Sequence, residues 1–394
     1  MKGLVVTPAY FPDKSKGGSI TGCRSFAKAI SLIHQLEIGT LDTTNEGERV
    51  SEVDEIKVSY FKITKGLEWL SSSGWGFSLK FSFWFIKNYK KFDYIYIRSL
   101  WNYISLFTSI ICILTGKNYG ISSSGKFSKY ALRSSFTKKI IILPLILFIL
   151  KKASFIHYPT TKEYNSTPKY ISKLTKPIIL NTAIDIKENL SEESNKSPII
   201  KRKLIYTVSR FDEIKRIEII AKLSSERFPN IDFVHIGNYQ DNFGYFNKIK
   251  NIYKNNKITI NYKFDNLIDF DKPAQRVFFP GYMEINAVDE LIKQYQESYF
   301  MQMSYSEGQS NSILEAMARG STCIVSEGCN MQKAKEHDSI IIANEHNLIR
   351  EINKLWKKDL LMDKLRDNQY KFLKDFHSSK NISIQFDENI RSLL

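Results

Sequence analysis

Short apolar runs rich in β-forming residues alternate with longer stretches of helical periodicity along the 394 residues of this chain. In the first half the strand-like runs are LVVTP (4–8), YIYI (94–97), NYGIS (118–122), SFIHY (154–158) and PIIL (177–180), with KVSYFKI (57–63) a weaker one. Helical patterns lie between them at about 19–34, 101–115 and 127–151. In the second half the runs are KLIYTVS (203–209), DFVHIG (232–237), VFFPG (277–281), YFMQMS (299–304), TCIVS (322–326) and SIII (339–342). Helices fill the gaps, and long polar ones close the chain from about 346 to 393. Alternation of this kind predicts α/β architecture, with parallel sheets covered by helices on both faces. The pattern occurs twice, on either side of the charged stretch IKENLSEESNKSPIIKRK (186–203), which reads as a linker. The expected organisation is a first domain over 1–185, a second over 204–378, and a C-terminal helix, 379–394, for which a return to the first domain is open. The length suits two domains of about 200 residues each.

One segment stands apart. IIILPLILFIL (140–150) is apolar throughout, contains Pro144, and is bracketed by Lys138, Lys139, Lys151 and Lys152. A membrane span needs roughly 20 apolar residues, so this run is too short to cross. It reads either as a core helix or as a helix lying at a membrane interface with lysines on its rim.

Composition narrows the class. Hydrophobic residues make up 43% and charged residues 25%, the balance of a globular protein. Cys23, Cys112, Cys323 and Cys329 are scattered without a C-x-x-C pair, so neither a zinc site nor a disulfide framework is expected, and a reducing cytoplasm fits. The start, MKGLVVTPAY, enters a strand directly and carries no signal-peptide pattern. The formal net charge is +16, which suits nucleic acid, an anionic membrane surface or phosphorylated small molecules. No nucleic-acid-binding motif accompanies the charge, and no nucleic-acid partner is expected.

Three segments carry candidate chemistry. In SEGQSNSILEAMARGSTCIVSEG (306–328) a strand leads into a loop holding Glu307, then into a helix from about Ser312 with Glu315 in its first turn and Gly320 as its stop. A helix N-terminus offers free N–H groups and partial positive charge to a diphosphate. Two carboxylates beside it suit the hydroxyls of a ribose and a sugar. The spacing Ser312-x-x-Glu315 fits a capping box equally well, with Glu315 serving only its own helix. In TVSRFDEIKRIE (207–218), Arg210 follows a strand and Lys215 opens a helix five residues on. Two cations at that turn form a phosphate clamp at the carboxyl edge of a parallel sheet, or else a solvated basic turn. TPAYFPDKSKGGSITG (7–22) runs from the first strand into the first helix through Gly17 and Gly18, where backbone can approach a ligand, or simply turn.

Together these residues resemble the retaining GT-B glycosyltransferases of the large bacterial surface-polysaccharide group, glycosyltransferase family 4-like. The second domain carries the resemblance from about Leu204 to Ser326. There a strand, Arg210, Lys215, VHIGN, FFPGYM and the two glutamates eight apart follow one another in order. The first domain is similar more loosely, through Gly17-Gly18, the stretch from SSSGKFS to HYPTTKEYN, and LNTAID (180–185). The resemblance implies two Rossmann-like domains facing across a cleft, with the acceptor on the first and the nucleotide sugar on the second. It implies that Arg210 and Lys215 hold the donor diphosphate, that Glu315 binds ribose, that catalytic Glu307 holds the transferred sugar, and that Gly281-Tyr282 border the nucleobase. Gly308, Gln309, Ser310 and Asn311, in the loop and at the helix start, join the donor site. The family's first-domain histidine has no counterpart here, since the corresponding stretch reads SSSG (122–125). His157 lies in a strand-like run and is expected to be structural.

The expected activity is transfer of a hexose or N-acetylhexosamine from a nucleotide-sugar donor to a glycan or lipid-linked glycan, as in lipopolysaccharide and related polysaccharide biosynthesis. No D-x-D signature stands in a fitting place, so neither metal nor other cofactor is expected. The expected location is the cytoplasm, with peripheral attachment to the inner face of an anionic membrane as an open extension. Two other readings remain: a sugar-nucleotide epimerase of the same fold, and a non-catalytic basic scaffold at the membrane surface.

Overall fold

The computed structural model describes residues 1–13, 18–65, 76–127, 136–186, 200–226, 228, 230–264, 275–357 and 359–393. The chain divides into two compact units, Met1–Asp185 with Phe376–Leu394, and Ile186–Asp375.

In the first unit the strands are β1 (Lys2–Thr7), β2 (Gln35–Leu41), β3 (Arg49–Val53), β4 (Ile56–Phe61), β5 (Tyr94–Arg98), β6 (Tyr119–Ser122), β7 (Phe155–Tyr158) and β8 (Pro177–Ile179). They form one sheet in the order β3-β4-β2-β1-β5-β6-β7-β8, parallel except for the β3–β4 hairpin. Each central strand sends alternate side chains to opposite faces, as the pleat requires. Leu4, Val6, Ile95 and Ile97 enter one core cluster, while Val5, Tyr94 and Tyr96 enter the other. The helices Leu79–Asn88, Tyr103–Thr115 and Phe136–Lys152 cover the first face. The second is covered by helix Gly18–Ser31 and by the chain's last helix, Ser379–Arg391, through Ile382, Phe386 and Ile390.

The second unit holds β9 (Ile200–Val208), β10 (Ile231–Ile236), β11 (Thr259–Asn261), β12 (Arg276–Gly281), β13 (Tyr295–Gln302), β14 (Thr322–Val325) and β15 (Ile341–Ile342). Their order is β11-β12-β10-β9-β13-β14-β15, parallel throughout. From β9 the chain builds outward on one side through β10, then returns to place β13 on the other. The loops leaving β9 and β13 therefore part in opposite directions, and a crevice opens at the carboxyl edge between them.

Several sequence expectations need correction. β2, β3 and β11 carried too many polar residues to be read as strands, and helix Leu79–Asn88 was missed because LKFSFWFIKN is rich in aromatic residues of modest helix propensity. β9 begins at Ile200, inside the stretch read as linker, and residues 187–199 of that stretch lie outside the described ones. The helical pattern at 127–151 is realised as Phe136–Lys152, with 128–135 outside the described residues.

Candidate active site

β9 and β13 pair in parallel, so the loops at their carboxyl ends emerge side by side. After β9 come Ser209 and Arg210, then a single 3-10 turn, Glu213–Lys215, started by the Asp212 carboxylate accepting from the N–H of Ile214. Arg216 follows in the left-handed region at φ 50° and redirects the chain into helix Ile217–Lys222. This reversal carries Lys215 toward the β13 loop, where Tyr305 N–H donates to the Ile214 carbonyl at 2.7 Å. Lys215 Nζ then meets Glu307 Oε1 at 2.5 Å, and both side chains are largely shielded from solvent.

Glu307 is held from several directions. Its Oε1 also accepts from Gln302 Nε2 at 3.0 Å. Its N–H donates to the Gly328 carbonyl at 2.8 Å, and Asn330 Nδ2 donates to the carbonyls of Glu307 and Gly308. Gln302 is the hub: its Oε1 accepts from the hydroxyls of Ser310 and Ser312, each at 2.9 Å. Gly328 must be glycine, because a Cβ there would lie 2.3 Å from the carbonyl oxygens of Ser304 and Tyr305. Gly237, after β10, is equally constrained, since its Cβ would lie 1.9 Å from the Ser209 carbonyl oxygen and its φ is +153°. No side chain fits between Gly237 and the backbone immediately before Arg210.

The helix after the loop is Asn311–Ala318, with Ser310 at its N-cap. Ser310 does not cap with its side chain, because its hydroxyl is turned to Gln302. No acidic residue stands in the first turn. Glu315 is the fifth residue of the helix rather than part of its first turn, so the capping-box reading fails on geometry: the N-cap is Ser310, two residues before the Ser312 that the box requires. Glu315 instead faces Arg319 Nη1 at 3.9 Å, and Arg319 is anchored on Asp289 at 2.5 Å. Burial raises the pKa of Glu315, with Arg319 opposing that shift.

The remaining candidates are placed as follows. Arg210 is 62% exposed, with Asp212 as an ion-pair partner at 3.7 Å. Both cations of the turn thus have acidic neighbours: Lys215 has Glu307, and Arg210 has a loose contact to Asp212. Gly281 ends β12 at φ +80°, its carbonyl accepting from Gly237 N–H at 2.8 Å, and Tyr282 beside it is exposed. Gly308, Gln309 and Asn311 line the half-exposed loop and helix start. In the first unit Gly18 begins helix Gly18–Ser31, while Gly17 lies outside the described residues. The structure thus gathers Lys215, Glu307, Gly308 and Ser310 around one hydrogen-bonded loop, with Glu315 on the helix that follows it. Sequence reading missed Gln302, Asn330 and Gly328. Gln302 had a visible signal, a lone amide inside the apolar strand run YFMQMS.

His157 is buried in the first-unit core, bonded to Tyr96 and to the Leu180 carbonyl, and desolvation lowers its pKa to about 4. It stays neutral and structural. The SSSG loop is fixed by Glu163, whose Oε1 accepts from Ser123 Oγ and Gly125 N–H at 2.6 Å each. Burial raises the pKa of Glu163, and its Oε2 has no hydrogen-bond partner among the described residues.

Residues 190–372, essentially the second unit, match the family described as "Glycosyl transferases group 1". No curated protein matches the chain significantly. Among solved structures, sucrose-phosphate synthase from Thermosynechococcus elongatus superposes with a TM-score of 0.73 at 15% identity, covering 100% of this chain and 98% of that one. HepE of Anabaena, in complex with UDP and glucose, superposes at 0.70 with 14% identity and full coverage of both chains. The E. coli trehalose-6-phosphate protein bound with UDP-2-fluoro glucose superposes at 0.65 with 11% identity, over 100% of this chain and 99% of that one. At such identities the likeness establishes the fold, which is GT-B.

Proposed function

We propose that the protein is a retaining glycosyltransferase that moves a hexose or N-acetylhexosamine from a nucleotide-sugar donor to a glycan or lipid-linked glycan acceptor in surface-polysaccharide assembly. The observation that carries this reading is the Lys215–Glu307 pair at the β9/β13 switch point, beside a helix N-terminus whose N-cap side chain is turned away. The group 1 match over the same residues supports it, as do the complexes of the fold's neighbours with UDP and UDP-glucose. A UDP-sugar is therefore the first donor to test.

In this reading Arg210 and Lys215 bind the diphosphate and stabilise the charge it gains on departure. The ends of β9, β12 and β13 supply Arg210, Gly281-Tyr282 and Glu307 to one donor. Glu307 holds sugar hydroxyls and favours the positive charge developing at the anomeric carbon. Glu315 accepts from the ribose. The leaving phosphate takes part in deprotonating the acceptor, and the protein's contribution is positioning and charge stabilisation. Transfer proceeds without a metal, so activity should persist in EDTA.

A thermal-shift screen against UDP-, GDP- and dTDP-sugars comes first, because a ligand of the folded state raises apparent stability. Nucleotide release is then measured with and without acceptor glycans. Release dependent on acceptor supports transfer. An isomerised sugar nucleotide without release would replace the reading with epimerisation, and absence of any nucleotide binding would leave a scaffold.

A further inference from the structure

We propose that the outer face of the three helices Leu79–Asn88, Tyr103–Thr115 and Phe136–Lys152 docks on the surface of an anionic lipid bilayer, without crossing it. Four observations on the first unit carry this inference, and none depends on the donor site.

The first is exposed apolar surface where a water-facing helix would carry charge. Phe83 is 71% exposed, Leu114 75% and Phe148 48%, and Ile86, Ile110 and Leu145 are exposed beside them. Within each helix these positions fall three or four residues apart, 83 with 86, 110 with 114 and 145 with 148, so each pair lies on one stripe. The buried stripes of the same helices, with Phe81, Phe85, Ile104, Cys112, Ile146 and Ile149, fill the core beneath.

The second is continuity. Tyr103–Thr115 packs against both other helices, so the stripes adjoin. Its thirteen residues, YISLFTSIICILT, include no charged side chain. A helix with an exposed Leu114 and no charge on any face is poorly suited to water alone.

The third is charge. Residues 79–152 hold thirteen Lys and Arg against one acid, Asp93, which amounts to +12 of the chain's +16. Asp93 accepts from the Lys2 backbone N–H at 2.7 Å. The three helices run antiparallel to the parallel strands that follow them, so their C-terminal ends gather at one edge. Lys87, Lys90, Lys91, Lys151 and Lys152 are exposed there, rimming the apolar face. An apolar stripe with a cationic rim is the pattern that fits lipid headgroups over acyl chains.

The fourth concerns depth. Among the described residues no helix is long and apolar enough to span a bilayer. Phe136–Lys152 is also committed to the core through Ile146, Ile149 and Leu150, so it cannot leave the sheet without exposing them. The face therefore lies on the membrane.

The test uses the full chain in co-sedimentation with vesicles of phosphatidylcholine, alone or mixed with phosphatidylglycerol. The protein should sediment with the mixed vesicles, weakly or not at all with the neutral ones, and less as salt rises. The triple variant Phe83→Ser, Leu114→Ser, Phe148→Ser should melt like wild type, since all three are exposed, and should lose about tenfold or more in vesicle affinity. The variant Lys87→Glu, Lys90→Glu, Lys151→Glu keeps the apolar stripe and should lose the preference for anionic lipid. The proposal is overturned if the serine variant binds mixed vesicles as wild type does and heparin displaces both, because the surface is then a general polyanion site. It is overturned equally if wild type binds neither vesicle and is a dimer that the serine variant dissolves, because the occupant is then a second copy.

Discussion

Lys215 and Glu307 are 92 residues apart in sequence, yet their Nζ and Oε1 atoms lie 2.5 Å apart. The cation expected to meet a diphosphate and the carboxylate expected to meet a sugar are partners of each other. Both side chains are largely shielded from water, so removing either one would leave the other charge poorly solvated and without its partner. On the proposed reading, the charge arrangement is in place before the donor arrives, as electrostatic preorganisation requires.

A double-mutant cycle measures that coupling. Lys215→Ala leaves Glu307 with Gln302 as its remaining side-chain donor and should weaken donor binding by about 1.5–3 kcal/mol, the range for charged hydrogen bonds. Glu307→Ala should lower kcat more than it raises KM, because its interaction strengthens in the transition state. In urea melts the two changes should be non-additive by roughly 0.5–3 kcal/mol. Strict additivity would mean that the pair contributes nothing to the fold, and full turnover by Glu307→Ala would remove its catalytic role.

Arg210 and Gly237 separate binding from backbone placement. Arg210→Ala removes an exposed side chain, so the melting temperature should hold while nucleoside-diphosphate affinity falls by about 1.5–3 kcal/mol. Gly237→Ala must displace the Ser209 carbonyl and strains a positive φ, so stability and affinity should fall together. Calorimetry and thermal melts on both variants check the distinction. An Arg210→Ala protein that binds UDP as tightly as wild type would end the clamp assignment.

Glu315, at the fifth position of its helix, makes no capping bond. Glu315→Gln should therefore cost no capping energy, and it replaces a carboxylate whose charged form burial disfavours, so the melting temperature should not fall. It should raise the donor KM with little change in kcat, the signature of lost uniform binding. An unchanged KM would take Glu315 out of the ribose site.

Glu163 provides a pH signature in the first unit. Desolvation raises its folded pKa, partly offset by Ser123 and the Gly125 N–H. The folded state thus holds this proton more tightly than the unfolded chain. The contribution to stability is fully present below the unfolded pKa, about 4.3, and is lost as pH rises through the folded pKa. Glu163→Gln removes that titration while keeping an acceptor for Ser123 and Gly125. Between acidic and neutral pH, wild-type stability should decline relative to the variant in denaturant melts. Parallel profiles for the two proteins would mean that the Glu163 pKa does not change on folding.

Some of this was legible in the residues alone. Alternating strand-like and helical periods spelled out an α/β fold with two parallel sheets, because those periods are local: a strand alternates every two residues and a helix repeats within four. Most strands of both sheets were found within a few residues, and the order of Arg210, Lys215, Glu307 and Glu315 pointed to the second unit as the place of the proposed chemistry. Strands with mixed polarity, such as β3 with its exposed antiparallel edge, escaped because their pairing partner and not their composition makes them strands.

What tertiary structure decided was pairing. That β9 lies beside β13 brings Lys215 to Glu307, and no pattern within either segment encodes that adjacency. Gln302 became a hub only because β13 ends where the Ser310–Ser312 helix start and the Glu307 loop converge. Glu315 changed from a plausible cap to a second-turn residue because the N-cap is Ser310, two positions before the Ser312 of the capping box, and the Ser310 hydroxyl is turned to Gln302. The run 140–150 shows the same division. Its apolarity was plain in sequence, but only packing into the first-unit core fixed which of its residues are buried and left Leu145 and Phe148 facing outward. Local periodicity specifies elements. Strand order brings together residues that are distant in sequence, and buried contacts hold them there, because the free energy of a hydrogen bond or ion pair depends on what surrounds it in space.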